Sequence, residues 1–163
     1  EPEFAAALDT LCNELGDPAR LVPCHRDFMP RNLMLRAGAG RDGEHELLVL
    51  DHQDLRLGPP AYDLASLLND SLFPPAALED ELVATLHPGE QGALDYRRAA
   101  VQRAAKGVRI SPDFGRLGFD RHLKVVAPTL ARAWRWFGEV PELRAVRTAL
   151  RPAWEAQLNG LLD

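Results

Sequence analysis

Apolar residues recur every three or four positions along most of this chain, the period of a helix with one buried face. Phe4, Leu8, Leu11 and Leu15 make the first such stripe, and Gly16 ahead of Asp17-Pro18 predicts its end. A short apolar pair, Leu21-Val22, then leads into Pro23. Between Leu33 and Leu50 the period changes. Leu33-Met34-Leu35 and Leu47-Leu48-Val49-Leu50 are compact apolar runs on either side of Arg36–Glu46, a polar stretch with three glycines. That pattern predicts a small antiparallel hairpin with a long tip.

Beyond Gly58-Pro59-Pro60 the helical period returns and holds to the end. Tyr62, Leu64, Ala65, Leu67 and Leu68 form one stripe. Pro74-Pro75 suits the first turn of the next helix, whose expected buried face is Leu78, Leu82, Val83 and Leu86, with Pro88-Gly89 as its stop. Leu94 to Lys106, rich in Ala and Arg, predicts a third helix closed by Gly107. Val108–Gly118, with Ser111-Pro112 and two glycines, predicts a loop. Phe119 to Phe137 predicts another long helix disturbed at Pro128; Gly138 and Pro141 set off a last one, Glu142–Leu162, broken near Pro152. One small β-hairpin among five or six helices makes the fold class mainly α.

At 163 residues, with 46% apolar and 26% charged side chains, the chain is one globular domain, which excludes disorder, collagen and coiled coil. No run of about 18 apolar residues predicts a membrane span. The opening Glu1-Pro2-Glu3 lacks the basic stretch and apolar run of a signal peptide. Cys12 and Cys24 have no partner pattern for zinc or a disulfide scaffold, so reduced thiols in the cytoplasm are expected. The net charge of −5 is unevenly spread: residues 1–96 carry −12 and residues 97–163 carry +7. A basic half suits nucleic acid or an anionic substrate. These arginines are scattered along helical stretches without an aromatic-rich basic strand, so solvated helix faces are expected and no nucleic-acid partner.

The densest polar cluster is Cys24-His25-Arg26-Asp27-Phe28-Met29-Pro30-Arg31-Asn32, in a turn just ahead of the hairpin. Asp51, in Val49-Leu50-Asp51-His52-Gln53-Asp54, closes the second strand 19 residues after Asn32. A hairpin returns the chain to its start, so Asp51 is expected beside Asn32 and Asp27. The Asn32 amide oxygen and the Asp51 carboxylate are hard donors that suit Mg²⁺, which takes a few protein oxygens plus substrate phosphates. Asp27 remains to accept a proton from an attacking hydroxyl. Phosphoryl transfer needs that division of labour. His-x-Asp alone carries little information; His-x-Asp-x-x-x-x-Asn, a hairpin and then an Asp after an apolar strand is a far more specific set.

His25–Asn32, followed by Asp51-His52-Gln53-Asp54 and Gly58-Pro59-Pro60-Ala61-Tyr62-Asp63-Leu64-Ala65-Ser66-Leu67-Leu68, resembles the aminoglycoside phosphotransferase and choline kinase superfamily. The second block is most similar to its bacterial kinases of the anomeric hydroxyl of N-acetylmuramate and N-acetylglucosamine, which act in cell-wall sugar recycling. The motifs cover Cys24 to Leu68, and the helical remainder fits less specifically. The resemblance implies the C-terminal lobe of a protein-kinase-like (α+β) fold, with Asp27 as catalytic base, Asn32 and Asp51 on Mg²⁺, and ATP as co-substrate. Met29 stands where protein kinases carry a lysine and no Ala-Pro-Glu follows, which points away from protein substrates. His52 takes the place of the usual aromatic.

Residues 1–163 thus read as one kinase-like C-lobe: catalytic loop and metal-binding hairpin at 24–54, helices over 59–163. A β-rich N-lobe with a Gly-rich turn and a phosphate-binding lysine is expected upstream, since Lys106 and Lys124 both follow the motifs. The isolated lobe is expected to be inactive. Its exposed face is expected to meet the missing N-lobe or another copy of the chain. His25 is expected to brace the Asp51 loop, and Asp63 to accept hydrogen bonds from the catalytic loop. Asp54 fits a supporting or a substrate-contacting place, and Arg31 fits phosphate, substrate or a surface ion pair. Trp134, Trp136 and Phe137 fit helical core packing better than a sugar-stacking wall. The rival functions are an aminoglycoside or amino-alcohol kinase of the same superfamily, decided by the helical insert after Asp70, and a non-catalytic binding module.

Overall fold

The computed structural model describes residues 2–38, 45–69, 73–116 and 126–162, with side chains except at 3, 4, 107–116, 126, 127 and 156–162. The first helix, α1 (Pro2–Leu15), buries Ala7, Leu11 and Leu15, one residue per turn on a single face. The Gly16 amide closes it on the Cys12 carbonyl at 2.8 Å. Four short strands follow: β1 (Val22–Cys24), β2 (Leu33–Arg36), β3 (Glu46–Val49) and β4 (Arg56–Gly58).

β2 and β3 form the expected antiparallel hairpin, with Leu33 opposite Val49 and Arg36 opposite Glu46; residues 39–44 of its tip lie outside the described residues. A second ladder, absent from the pattern reading, pairs β1 antiparallel with β4, Val22 opposite Gly58 and Cys24 opposite Arg56. Pro23, which has no N–H to donate, is tolerated because this ribbon has only two strands and open edges. A Cβ at Gly58 would lie 3.1 Å from Cys24 Sγ, so the close approach of β1 and β4 requires a residue without a side chain. The two ladders follow each other along the same two chain segments. Residues 25–32 and 50–55 are therefore the two links between them and run side by side.

The rest is helical: α2 (Tyr62–Leu68), α3 (Ala76–Leu86), α4 (Gly89–Arg116), α5 (Val126–Phe137) and α6 (Arg144–Leu162). α4 is the central element and packs on α1, α2, α3 and α5. The core joins Leu11 and Leu15 to Leu64, Ala65 and Leu68, to Tyr96, Ala99 and Ala100, and to Trp136, Val140 and Leu143. Trp136 is buried with the Tyr96 ring edge-on to it. Trp134 stacks on Trp154 at 4.8 Å and 14°, and Phe137 packs against the core. These aromatics are helix-packing residues.

Four expectations are corrected. Gly107 does not close the third helix: α4 starts at Gly89 and runs through 107–116, where a loop was expected. A glycine inside a helix costs only about 1 kcal/mol, less than the bonds a long anchored helix gains by elongation. Pro152 sits inside a continuous α6. On α3 the buried face is Glu79 and Val83, whereas Leu78 and Leu86 are exposed. Arg98 and Arg103 are buried rather than solvated. Pro128 falls in the first turn of α5, where amide donors have no helical partner to lose. The expected start of that helix at Phe119 lies outside the described residues, as does the Phe4 side chain.

Candidate active site

Two loops make the site, and each contains a residue in the left-handed region. Arg26 has φ 70° and Asp51 has φ 67° with ψ 50°. A non-glycine residue held there costs on the order of 1–3 kcal/mol and persists only where its surroundings fix it.

Those surroundings are specific. Asp63, in the first turn of α2, accepts the backbone N–H of His25 at 2.7 Å on one carboxylate oxygen and that of Arg26 at 2.9 Å on the other. His25 is buried, and its Nε2–H donates to the Leu50 carbonyl at 2.7 Å, since a carbonyl can only accept. The same ring meets Phe28 edge-on at 6.0 Å and His52 edge-on at 5.5 Å. His52 thus packs where an aromatic was expected. His25 ties the first loop to the residue before Asp51, the bracing role expected of it.

Asn32 completes the clasp. Its Nδ2 donates to the Asp27 carbonyl at 2.8 Å, and its own backbone carbonyl accepts the Leu50 N–H at 2.8 Å. With the amine end of the amide committed to Asp27, the amide oxygen is the end available to a cation. Met29, fully buried, anchors the middle of the loop. Asp27 and Asp51 both present side chains to solvent, Asp51 more so. Asp54 is exposed on the 3₁₀ turn His52–Asp54, and Arg31 is exposed on the 3₁₀ turn Pro30–Asn32.

Two cations that the sequence pattern did not assign to this site reach Asp27 from α4. Arg103 Nη1 lies 3.5 Å and Lys106 Nζ 3.7 Å from Asp27 Oδ1. Burial holds the Lys106 ammonium below its ordinary pKa; neighbouring Arg103 and Arg26 add to that, while Asp27 opposes it. Burial also pushes the Cys24 thiol up to about 11, with Asp63 adding to the effect. The only signal for Arg103 and Lys106 was their spacing of one helical turn on an Ala/Arg-rich helix. Clefts elsewhere, one lined by Glu79, Tyr96 and Trp136 and another by Trp134, Arg147 and Arg151, include no residue of the 24–54 segment.

Residues 1–101 match the model of the phosphotransferase enzyme family. The chain is 38% identical over 108 residues to an N-acetylmuramate/N-acetylglucosamine kinase of Neisseria meningitidis, covering 64% of this chain and 28% of that protein. A protein of the same name from Pseudomonas aeruginosa is 33% identical over an alignment of 181 residues, covering 99% of this chain and 47% of the relative. One from Pseudomonas putida is 33% identical over 146 residues, covering 80% and 36%. The chain spans less than half the length of each of these relatives. It belongs to the phosphotransferase enzyme family.

Proposed function

We propose that this chain is the helical lobe of a two-lobed small-molecule kinase that transfers the γ-phosphoryl of ATP to a sugar hydroxyl, with acceptors of the N-acetylmuramate/N-acetylglucosamine type. The observation that carries the reading is the clasp of His25–Asn32 onto Leu50-Asp51, in a chain of this family whose relatives bear that name. In this reading Asp27 is the base. Its carboxylate orients the acceptor hydroxyl and takes its proton as the phosphoryl moves across.

The donor set fits Mg²⁺. Among the described residues no three His, Cys, Asp or Glu side chains come together as a metal cluster, and none is required, since Mg²⁺ takes one or two protein oxygens and completes its shell with water and phosphates. The uncommitted Asn32 amide oxygen and the exposed Asp51 carboxylate supply such a pair. When bound there, the ion neutralises phosphate charge that develops during transfer. The bonds of Leu50 to His25 and Asn32 hold the backbone beside the left-handed turn that carries the Asp51 side chain.

The remaining parts belong to an upstream lobe in this reading. The apolar residues of the two ladders and the link between them support a cover of that kind: Leu35, Leu47, Leu55 and Leu57 are all more than half exposed. A second copy of the chain on the same face is the alternative cover, and sedimentation of the 163-residue chain separates the two. Free Cys12 and Cys24 and the use of ATP are consistent with the cytoplasm; among the described residues no helix is long and apolar enough to cross a membrane.

The test is made in the two-lobed protein, with N-acetylmuramate, N-acetylglucosamine and an aminoglycoside offered side by side. Asp27→Asn should lower kcat by about 10²–10⁴-fold with little change in KM, the usual worth of a positioned base. Asp51→Asn should weaken Mg–ATP binding as well as turnover. Phosphorylation of the aminoglycoside alone would overturn the sugar assignment. An Asp27→Asn protein keeping more than about a tenth of the activity would remove Asp27 from the base role, and would favour a binding module.

A further inference from the structure

Among the described residues, the charge around Asp27 does not balance. Arg103 and Lys106 leave α4 one helical turn apart, and both approach the same oxygen, Asp27 Oδ1, at 3.5 and 3.7 Å. The Arg103 side chain is only 10% exposed and that of Lys106 33%, so each has given up much of its hydration for a share in one carboxylate. Burying a guanidinium is costly unless it is closely paired. Both separations exceed the roughly 2.7–2.9 Å of a direct charge-assisted hydrogen bond. The arrangement is short of one anion.

Its location says which side of the reaction that anion comes from. Asn32 and Asp51 belong to the β2–β3 side of Asp27. Arg103 and Lys106 belong to α4, which is packed into the helical layer on α2 and α5. With the nucleotide phosphates assigned to the first side, an acceptor hydroxyl approaches Asp27 from the second, next to the two cations. The two acceptors in the relatives' name differ in one relevant group: N-acetylmuramate carries a lactyl carboxylate that N-acetylglucosamine lacks. A guanidinium and an ammonium together suit a carboxylate well, the one as a planar fork and the other as a point charge.

We infer that Arg103 and Lys106 form a carboxylate-recognition subsite for the acceptor sugar, selecting the acidic sugar over the neutral one. The inference rests on the sugar-kinase reading above and deepens it. A carboxylate seated between the cations gives each its own partner and draws positive charge away from the oxygen that must take the hydroxyl proton. Arg103 and Lys106 are specificity residues in this scheme, and Asp27 remains the catalytic one.

The experiment compares two sugars within each variant of the two-lobed protein, so that any loss acting through Asp27 cancels. The wild type should show the higher kcat/KM for N-acetylmuramate. Lys106→Met should lower the ratio of kcat/KM for N-acetylmuramate to that for N-acetylglucosamine at least tenfold, chiefly through KM for the acid, and Lys106→Arg should restore most of it. Arg103→Lys should lower the ratio less, since it keeps the charge and loses only the fork. Calorimetric binding of N-acetylmuramate against its methyl ester gives a readout independent of turnover; the acid should bind at least tenfold more tightly, and Lys106→Met should erase the difference. An unchanged ratio in Lys106→Met, or equal loss of kcat for both sugars, would overturn the subsite and move the cations to the transferred phosphoryl. If no sugar is phosphorylated, the function proposed above fails, while the acid-against-ester comparison still decides the subsite.

Discussion

Asp63→Asn is the sharpest probe of how this fold holds its site, because the substitution removes little volume and acts on two bonds whose partners are known. The Asp63 carboxylate takes the His25 and Arg26 amides, one on each oxygen, at 2.7 and 2.9 Å. Hydrogen bonds to a charged acceptor contribute about 1.5–3 kcal/mol each, and neutral ones about 1 kcal/mol. An asparagine has a single acceptor oxygen, so one bond becomes neutral and the other amide faces an NH₂ group. The charge near the α2 N-terminus, worth about 0.3–1 kcal/mol, is lost as well. Together these give a destabilisation of about 3–4 kcal/mol, roughly 6–16 °C in Tm for a chain of this size. The damage should be local before it is global. Arg26 at φ 70° is held on one side by this carboxylate, so hydrogen exchange at the His25 and Arg26 amides should accelerate well below the unfolding transition. Urea unfolding with exchange mass spectrometry measures both quantities. A loss under about 0.5 kcal/mol with unchanged exchange in the loop would refute the reasoning, and Asp63→Ala, which deletes both acceptors, should be at least as damaging.

Glu79 is 1% exposed and lies between the Tyr96 hydroxyl and the Arg132 guanidinium, each at 2.5 Å; Glu79→Gln should cost about 3–5 kcal/mol, as expected when one partner of a buried pair is neutralised, and a shift below 1 kcal/mol in urea would count against the network. Burial and the Glu79 contact both drive the Tyr96 phenol upward, so its phenolate absorbance should stay silent on alkaline titration until the protein unfolds. Cys24 gives a pH prediction: with its folded pKa raised to about 11, its contribution is complete below about pH 8.5 and is lost as pH rises through 11, up to roughly 2–3 kcal/mol. At pH 8, iodoacetamide should label exposed Cys12 and spare buried Cys24; equal rates would disprove the protection.

How much of this was legible in the sequence follows from the distance over which each feature is determined. The α1 stripe, the β2–β3 hairpin and α2 are set by residues within one or two turns of each other, and periodicity found them. The β1–β4 ladder joins residues 36 apart at its Val22–Gly58 end through three-residue strands, one of them centred on Pro23; no alternation survives at that length. On α3, burial of Glu79 in place of Leu78 depends on Arg132, 53 residues further on. The same logic applies at the site. His25, Asp27, Asn32 and Asp51 stand out because their spacing is compact, whereas Arg103 and Lys106 lie 76 and 79 residues beyond Asp27 on a helix with nothing unusual in its composition.

The uneven charge of the two halves has its explanation in these long-range pairs. The acidic first part and the basic remainder meet across the helical layer. Arg98 bonds Glu14 at 2.9 Å and also holds Glu142 at 2.8 Å within its own half, Arg132 holds Glu79, and Arg135 reaches Asp80 at 3.6 Å. The energetic weight of the pairs is unequal. The Arg98 and Glu79 side chains are buried and intolerant of losing a partner, while the exposed Arg135–Asp80 contact contributes little. Arg98 has Glu14 and Glu142 at hydrogen-bonding distance, and Arg132 has Glu79. The pair on Asp27 departs from this pattern: among the described residues, buried Arg103 and partly exposed Lys106 divide one carboxylate, both at longer range. Among the described residues the fold thus pairs its charge closely where the role is structural and more loosely beside the candidate base, as the carboxylate subsite inferred above requires.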